Sequence, residues 1–382
     1  MKKRILTGDR PTGRLHLGHY VGSLKNRVRL QNEYECFFII ADLHTLTTAP
    51  QKSADLADNI KQLVLDYLSV GIDAAKATIF VQSQIPEVAE LAVIFQNLVT
   101  VPRLERLPTL KDVMRDSHIK IPSFGLLGYP VLQAADILMV KADLVPVGRD
   151  QESHVEVTRE IAREFNRLYP LDSAWGPVSH FPPASAHSRD RSERDGGSSG
   201  ELRAVGIPST TATPRAVFPI PKALIPKEVG TLPGTDGRVK MSKSAGNVIN
   251  LSDDSETVKK KVMGMYTDPK RIHGDEPGDT EHNPVFIYLD AFVPELNNTK
   301  YQIQNTEYKE RYSKGKIKDV EVKKFLVEVL EEFLQPLRER RRKYEKDTEY
   351  VDEILKKGTS KARVEAQKTL EVVKRAMKLD YF

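Results

Sequence analysis

The chain has 382 residues, 40% hydrophobic and 29% charged, with a formal net charge of +5. That length exceeds one typical compact core and predicts two domains, or one large domain with a smaller one, and the composition is ordinary for a soluble globular protein. The single cysteine, Cys36, excludes an internal disulfide framework and a multi-cysteine zinc site and fits a reducing, cytoplasmic compartment, while the mild basicity permits a polyanionic partner without requiring one.

The N-terminus, MKKRILTGDR, has cations but no apolar h-region, so no signal peptide is expected. No stretch approaches the length of a membrane span. Ile5-Leu6-Thr7 is short and apolar and stops at Gly8. ECFFIIAD (35–42) is a continuous apolar run, as a buried parallel strand would be. ATIFVQSQ (77–84) and ADLVPVG (142–148) read the same way. Between them, residues 53–71 place apolar side chains three and four apart and end at Gly71, as a helix with a glycine C-cap does. Strands alternating with helices predict an α/β fold, a Rossmann-type doubly wound parallel sheet, with ligands beyond the carboxyl ends of its strands.

Residues 171–215 are rich in Ser, Pro, Gly and Arg, lack a sustained apolar period and include the only tryptophan, Trp175. They read as a disordered insertion. Strand-like sequence returns at AVFPIPKALIPK (216–227), and from about Asp253 the chain reads as helical. Val322, Phe325, Leu326, Val329, Leu330, Phe333 and Leu334 form one helical stripe. A second helix is expected after Pro336 and a third over about 359–378. The expected organisation is therefore a catalytic part in two pieces, 1–170 and 216–252, the insertion at 171–215, and a helical C-terminal domain at 253–382 whose last helix packs back on the catalytic part.

Two short motifs suggest chemistry. In RPTGRLHLGHYVGS (10–23), Pro11 and Gly13 shape a turn, Gly18 allows close backbone approach, and a helix N-terminus follows His16 and His19. Two imidazoles beside such a terminus suit the oxygens of a phosphate as charge develops on it. A strand–turn–helix with two surface histidines would give the same pattern. In GRVKMSKSAGN (237–247), Lys240 and Lys243 flank Met241 and Ser242 within glycine boundaries. Such a loop can close over a triphosphate and stabilise departing pyrophosphate; alone, it reads equally as a solvated basic loop.

HLGH near the N-terminus and KMSKS (240–244) more than two hundred residues later together resemble the class I aminoacyl-tRNA synthetases. YPVLQAADILMVKADLVPVGRDQESHVEVTREIAREFN (129–166) is similar to the tryptophanyl-tRNA synthetases almost throughout. The tyrosyl relatives share only its Tyr-x-x-x-Gln-x-x-Asp spacing. On a helix, Tyr129, Gln133 and Asp136 occupy one face. The resemblance implies that Asp136 accepts the indole N–H, and that Tyr129 and Gln133 contact the α-amino group. It places Gly148, Arg149, Asp150 and Gln151 on ATP and the amino acid, and gives Ile225 a backbone contact to adenine. It sets His44 and Lys111 near the tryptophan and the phosphates. Lys111, Gly148, Arg149, Asp150 and Ile225, with Arg10, Pro11, Thr12, Gly18, His19, Lys240, Met241, Ser242, Lys243 and Ser244, form the expected ATP site; Asp136, Tyr129, Gln133, Gln151, Gly8 and His44 form the expected tryptophan site. His16, His19, Lys240 and Lys243 are the expected catalytic residues.

The resemblance implies a two-step ligation with ATP, Mg²⁺ carried by ATP, tryptophan and its tRNA as substrates, and a homodimer. It covers about 1–170 and 216–382, with three departures. Leu6 and Arg10 stand where the family often has Phe and Gln, and 171–215 has no recognised counterpart. The helical region would reach the anticodon, with RERRRKYEK (338–346) and Lys259, Lys260 and Lys261 either on phosphates or on a solvated face. The rivals are a tyrosyl enzyme, a small nucleotidylyltransferase sharing an H-x-G-H turn, and a non-catalytic paralogue.

Overall fold

The computed structural model describes residues 2–148, 151–171, 216–225, 232–237, 241–243, 245–268, 271, 273 and 275–381. Four of the expected site residues, Arg149, Asp150, Lys240 and Ser244, and nearly all of the 171–215 insertion lie outside the described residues.

Five parallel strands form the sheet: β1 (Arg4–Asp9), β2 (Glu35–Ile40), β3 (Ala77–Val81), β4 (Leu144–Pro146) and β5 (Lys222–Leu224). Their order is β3-β2-β1-β4-β5. The chain winds outward from β1 to β3, then returns to β4 on the other side of β1. That reversal opens a crevice beyond the carboxyl ends of β1 and β4, where doubly wound folds bind ligands. β1 pairs with β2 from Arg4↔Glu35 to Asp9↔Ile40. At Gly8 the two strands come so close that a Cβ would lie 1.9 Å from the Ile39 carbonyl oxygen.

The strands are apolar on both faces because both faces are covered. Ile5, Cys36, Phe38, Ile40 and Ile79 enter one core, whereas Leu6, Phe37, Ile39 and Phe80 enter the other. This is the two-residue alternation of a strand read across three neighbours.

The helices of the first part are α1 (Leu17–His19), α2 (Lys25–Leu30), α3 (Asp42–Leu46), α4 (Leu56–Ser69), α5 (Glu87–Gln96), α6 (Val101–Glu105), α7 (Pro108–Asp116), α8 (Phe124–Met139) and α9 (Glu152–Leu168). A wide π turn, Tyr20–Leu24, joins α1 to α2. Helix α4 ends as its glycine predicts: Gly71 has φ +102°, Gly71 N–H reaches Leu68 O, and Ile72 N–H reaches Tyr67 O. These bonds satisfy carbonyls the helix leaves open.

The C-terminal helices are α10 (Ser255–Met263), α11 (Pro284–Phe292), α12 (Thr299–Ser313), α13 (Asp319–Lys346) and α14 (Thr348–Met377). Contrary to the expectation of a break, α13 runs unbroken through Pro336. Pro336 and Glu332, whose carbonyl loses its partner, are both exposed, so water can satisfy the carbonyl. The apolar stripe on the opposite face holds the helix down. Phe325, Leu326, Val329, Leu330, Phe333 and Leu334 are all buried in the same core as Ile5 and Phe38. Helix α14 covers the free edge of β3, and a Cβ on Gly358 would lie 1.9 Å from Ile79 O.

The basic run of α13 is not a free cationic face. Arg338 is buried, donating to Asp253 O at 2.8 Å and pairing with Glu331 at 2.7 Å. Arg341 is buried on Asp66, Gln62 and Glu345. Arg340 reaches Ser69 O at 2.6 Å. Sequence spacing alone could not show this, because Asp253, Asp66, Gln62 and Ser69 lie in other segments. Arg342, Lys343, Lys346, Lys259 and Lys260 are exposed, whereas Lys261 pairs with Asp253 at 2.6 Å. Among the described residues, no helix is long and apolar enough to cross a membrane.

Candidate active site

A cavity of about 470 Å³ opens at the crevice between β1 and β4. Gly8, Asp9 and Arg10 leave β1 at its mouth, and Val147 and Gly148 leave β4 opposite them. Helix α8 forms a wall. Its Tyr129, Gln133 and Asp136 all line the cavity, on the one face that four- and three-residue steps predict. His44, Gln151 and Leu6 line it too.

Asp136 is 2% exposed. Its Oδ2 lies 2.9 Å from His44 Nε2, and Gln82 Nε2 donates to Oδ1 at 2.9 Å and to Oδ2 at 2.8 Å. Burial pushes this carboxyl up, while His44 and Gln82 pull it back. A carboxylate has about four acceptor positions, so these bonds aim it and leave capacity for a ring N–H. His44 therefore lies at the Asp136 end of the cavity. Tyr129 places its hydroxyl 2.7 Å from His154 Nε2, which also meets Thr109 Oγ1 at 2.6 Å.

The two histidines of HLGH sit beside this cavity at the start of α1. Their rings are 3.8 Å apart, and His16 N–H donates to His19 Nδ1 at 3.2 Å. An accepting Nδ1 leaves the proton of a neutral His19 on Nε2, on the far side of the ring. Gly13 has φ +105°, which only glycine adopts without strain, and it turns the chain between β1 and the histidines.

The segment after KMSKS pairs antiparallel with this turn. Leu17 N–H donates to Ile249 O and Leu251 N–H donates to Leu15 O, each at 2.9 Å, with His16 opposite Asn250. Asn247 ties the loop together, accepting from Ser242 N–H at 2.8 Å and donating to Asp236 at 2.9 Å. Met241 is buried against Gly18, where a Cβ would lie 3.3 Å from its sulfur. Lys243 crosses back to the turn, with Nζ 2.9 Å from Gly13 O and 3.4 Å from Thr12 Oγ1. Desolvation lowers the Lys243 pKa, and Asp9 and Asp66 partly offset this. So the sequence-distant motifs meet, and Pro11, Thr12, Gly18 and Ser242 lie with them rather than on the cavity wall. Ile225 follows β5 at the same sheet end. Lys111 is exposed on α7 and does not line the cavity.

Sequence reading missed several polar groups here. Gln82 is fully buried just after β3, where the polar QSQ ending an apolar strand was its only signal. His154 lies inside the 129–166 stretch and Thr109 two residues before Lys111, yet neither had a role assigned from the sequence. Asp9, Arg27 and Tyr67 form a network beneath the turn: Asp9 Oδ2 takes Arg27 Nη1 and the Tyr67 hydroxyl, each at 2.7 Å. Arg27 also donates to Gly8 O at 3.2 Å.

Burial disfavours the Asp9 charge, but Arg27 and His19 overcome it and hold its pKa at about 2, against the usual 3.8. A depressed carboxyl adds stability above its unfolded pKa and loses it as pH falls toward the folded one. Asp9→Asn is thus expected to lower unfolding free energy by about 2 kcal/mol or more at pH 7. The deficit should shrink as pH falls from about 4 toward 2. Denaturant melts across that range check it, and a deficit constant with pH would contradict the ionised Asp9.

The two signature loops thus meet beside a cavity at the sheet's switch point. The family model of the class I tRNA synthetases (W and Y) matches residues 1–335. The chain belongs to this family. The synthetase is 50% identical to the tryptophan–tRNA ligase of Treponema pallidum, over 98% of this chain and 97% of that one. It is 47% identical to the tryptophan–tRNA ligase of Borreliella burgdorferi, over 98% and 93% respectively. Its fold is similar to a crystal structure of Campylobacter jejuni tryptophanyl-tRNA synthetase complexed with ADP and tryptophan. That match has TM-score 0.76 and 30% identity, and covers 98% of this chain and 99% of that one.

Proposed function

We infer that the synthetase is a tryptophan–tRNA ligase. The observation that carries this is the meeting of the HLGH turn with Lys243 and the segment after KMSKS, beside the cavity that the Tyr129–Gln133–Asp136 face lines, in a chain 46–50% identical to tryptophan–tRNA ligases over nearly its full length.

In the first step a tryptophan carboxylate oxygen attacks the ATP α-phosphorus. The bond to the bridging oxygen breaks, and pyrophosphate leaves with the electron pair. In the second, a hydroxyl of the terminal adenosine of tRNA attacks the adenylate carbonyl, loses its proton and displaces AMP. Neither step needs a side-chain nucleophile, so catalysis is positioning and charge stabilisation. His16 and His19 would bind phosphate oxygens. Lys240 and Lys243 would receive the charge of departing pyrophosphate, with Arg10, Pro11, Thr12, Gly18, Lys111, Gly148, Arg149, Asp150, Ile225, Met241, Ser242 and Ser244 completing the nucleotide site. Asp136 would take the indole N–H, while Tyr129, Gln133, Gln151, Gly8 and His44 shape the tryptophan end. Mg²⁺ enters with ATP as part of that substrate.

This reading assigns the synthetase to the cytoplasm with its tRNA. It also assigns a homodimer. Amino-acid-dependent exchange of pyrophosphate into ATP tests the first step and the choice of amino acid together.

A further inference from the structure

Leu15 stands immediately before the histidine turn, and its N–H donates to the Asp66 carboxylate at 2.7 Å. Asp66 lies in α4 and is fully buried. Its other oxygen takes the guanidinium of Arg341, from α13 in the helical region. Arg341 is itself fixed by Gln62, in α4, and by Glu345 one turn further along α13. On the opposite side, Leu15 O accepts from Leu251 and Leu17 N–H donates to Ile249 O. The strand-like piece 15–17 is therefore gripped from two directions. One grip belongs to the segment after KMSKS; the other is Asp66, backed by the helical region.

A carboxylate this deep is a poor device for stability. Burial pushes it up to about 6, against the pull of Arg341 and the Leu15 N–H. Buried ion pairs can often be replaced by well-packed apolar groups without loss of stability. Asp66 does not line the cavity; it reaches the chemistry through the Leu15 backbone and through its charge on Lys243, and a neutral Asn keeps only the first of these.

We propose that Asp66 is a positioning residue for the His16–His19 turn: it fixes Leu15 so that both imidazoles meet the nucleotide phosphates, and Arg341 keeps its carboxylate aimed there. This rests on the adenylate-forming reading above.

The test compares Asp66→Leu, which removes the acceptor at similar volume, with Asp66→Asn, which keeps a neutral oxygen. In the full chain, tryptophan-dependent ATP–pyrophosphate exchange gives kcat and KM, and hydrogen exchange reports the Leu15 amide. Asp66→Leu is expected to lower kcat about tenfold or more, with KM for tryptophan within about twofold of the parent. The Leu15 amide should exchange about a hundredfold faster. Asp66→Asn should return kcat to within about threefold of the parent. A folded Asp66→Leu variant with parental kcat overturns the proposal, as does an Asp66→Asn variant no better than Asp66→Leu. Should Asp66→Leu not fold, Arg341→Gln decides: lowered kcat at parental KM supports the proposal, and parental kcat overturns it. Absence of exchange in the parent chain condemns the functional reading instead, and the amide measurement still shows whether Asp66 holds Leu15.

Discussion

Asp136→Ala is expected to lower kcat/KM for tryptophan by about 10³-fold, equivalent to about 4 kcal/mol. The change acts twice. It removes the acceptor for the indole N–H, and it strands His44 Nε2 and Gln82 Nε2, which now donate to that carboxylate. Both partners are buried, so neither recovers a full water shell. Phenylalanine has no ring N–H to lose, so its weak activation should fall much less and the preference for tryptophan should collapse. Steady-state exchange kinetics with both amino acids check this. A preference retained within about threefold would remove Asp136 from the specificity pocket.

Lys243→Ala is expected to lower the rate of adenylate formation by about 10²-fold while leaving tryptophan binding unchanged. The ammonium is already placed before substrate arrives, with Nζ on Gly13 O and Thr12 Oγ1. Asn247 fixes the loop that carries it. A charge held in position costs no reorganisation when pyrophosphate begins to leave. Its lowered pKa reflects desolvation, which also strengthens its field on a nearby phosphate. Single-turnover adenylate formation, with tryptophan affinity measured separately, distinguishes the two effects. An unchanged rate would remove Lys243 from the reaction, and a rise in the tryptophan Kd alone would make it a binding residue.

Much of this architecture was legible in the sequence, for physical reasons. Strands buried on both faces are continuous apolar runs, so β1, β2 and β3 were readable. The face of α8 was readable because helical geometry fixes which residues three and four apart lie together. What escaped was pairing across long sequence distances. Asp66 reads as one polar residue inside an amphipathic helix; nothing local says that it accepts from Leu15 and from Arg341, 51 and 275 residues away. Arg338 and Arg341 read as part of a cationic face for the same reason, since the acceptors that draw them inward, Asp253 O and Asp66, lie in other segments. Pro336 misled differently. It removes one hydrogen bond, but on the exposed side of a helix whose other face is packed along its length.

The central claim is that this cavity selects tryptophan for adenylate formation. Amino-acid-dependent ATP–pyrophosphate exchange, run with tryptophan, tyrosine and phenylalanine in parallel, tests it most directly. Exchange with tryptophan alone is the predicted result. Exchange driven by tyrosine, or by none of the three, would contradict it.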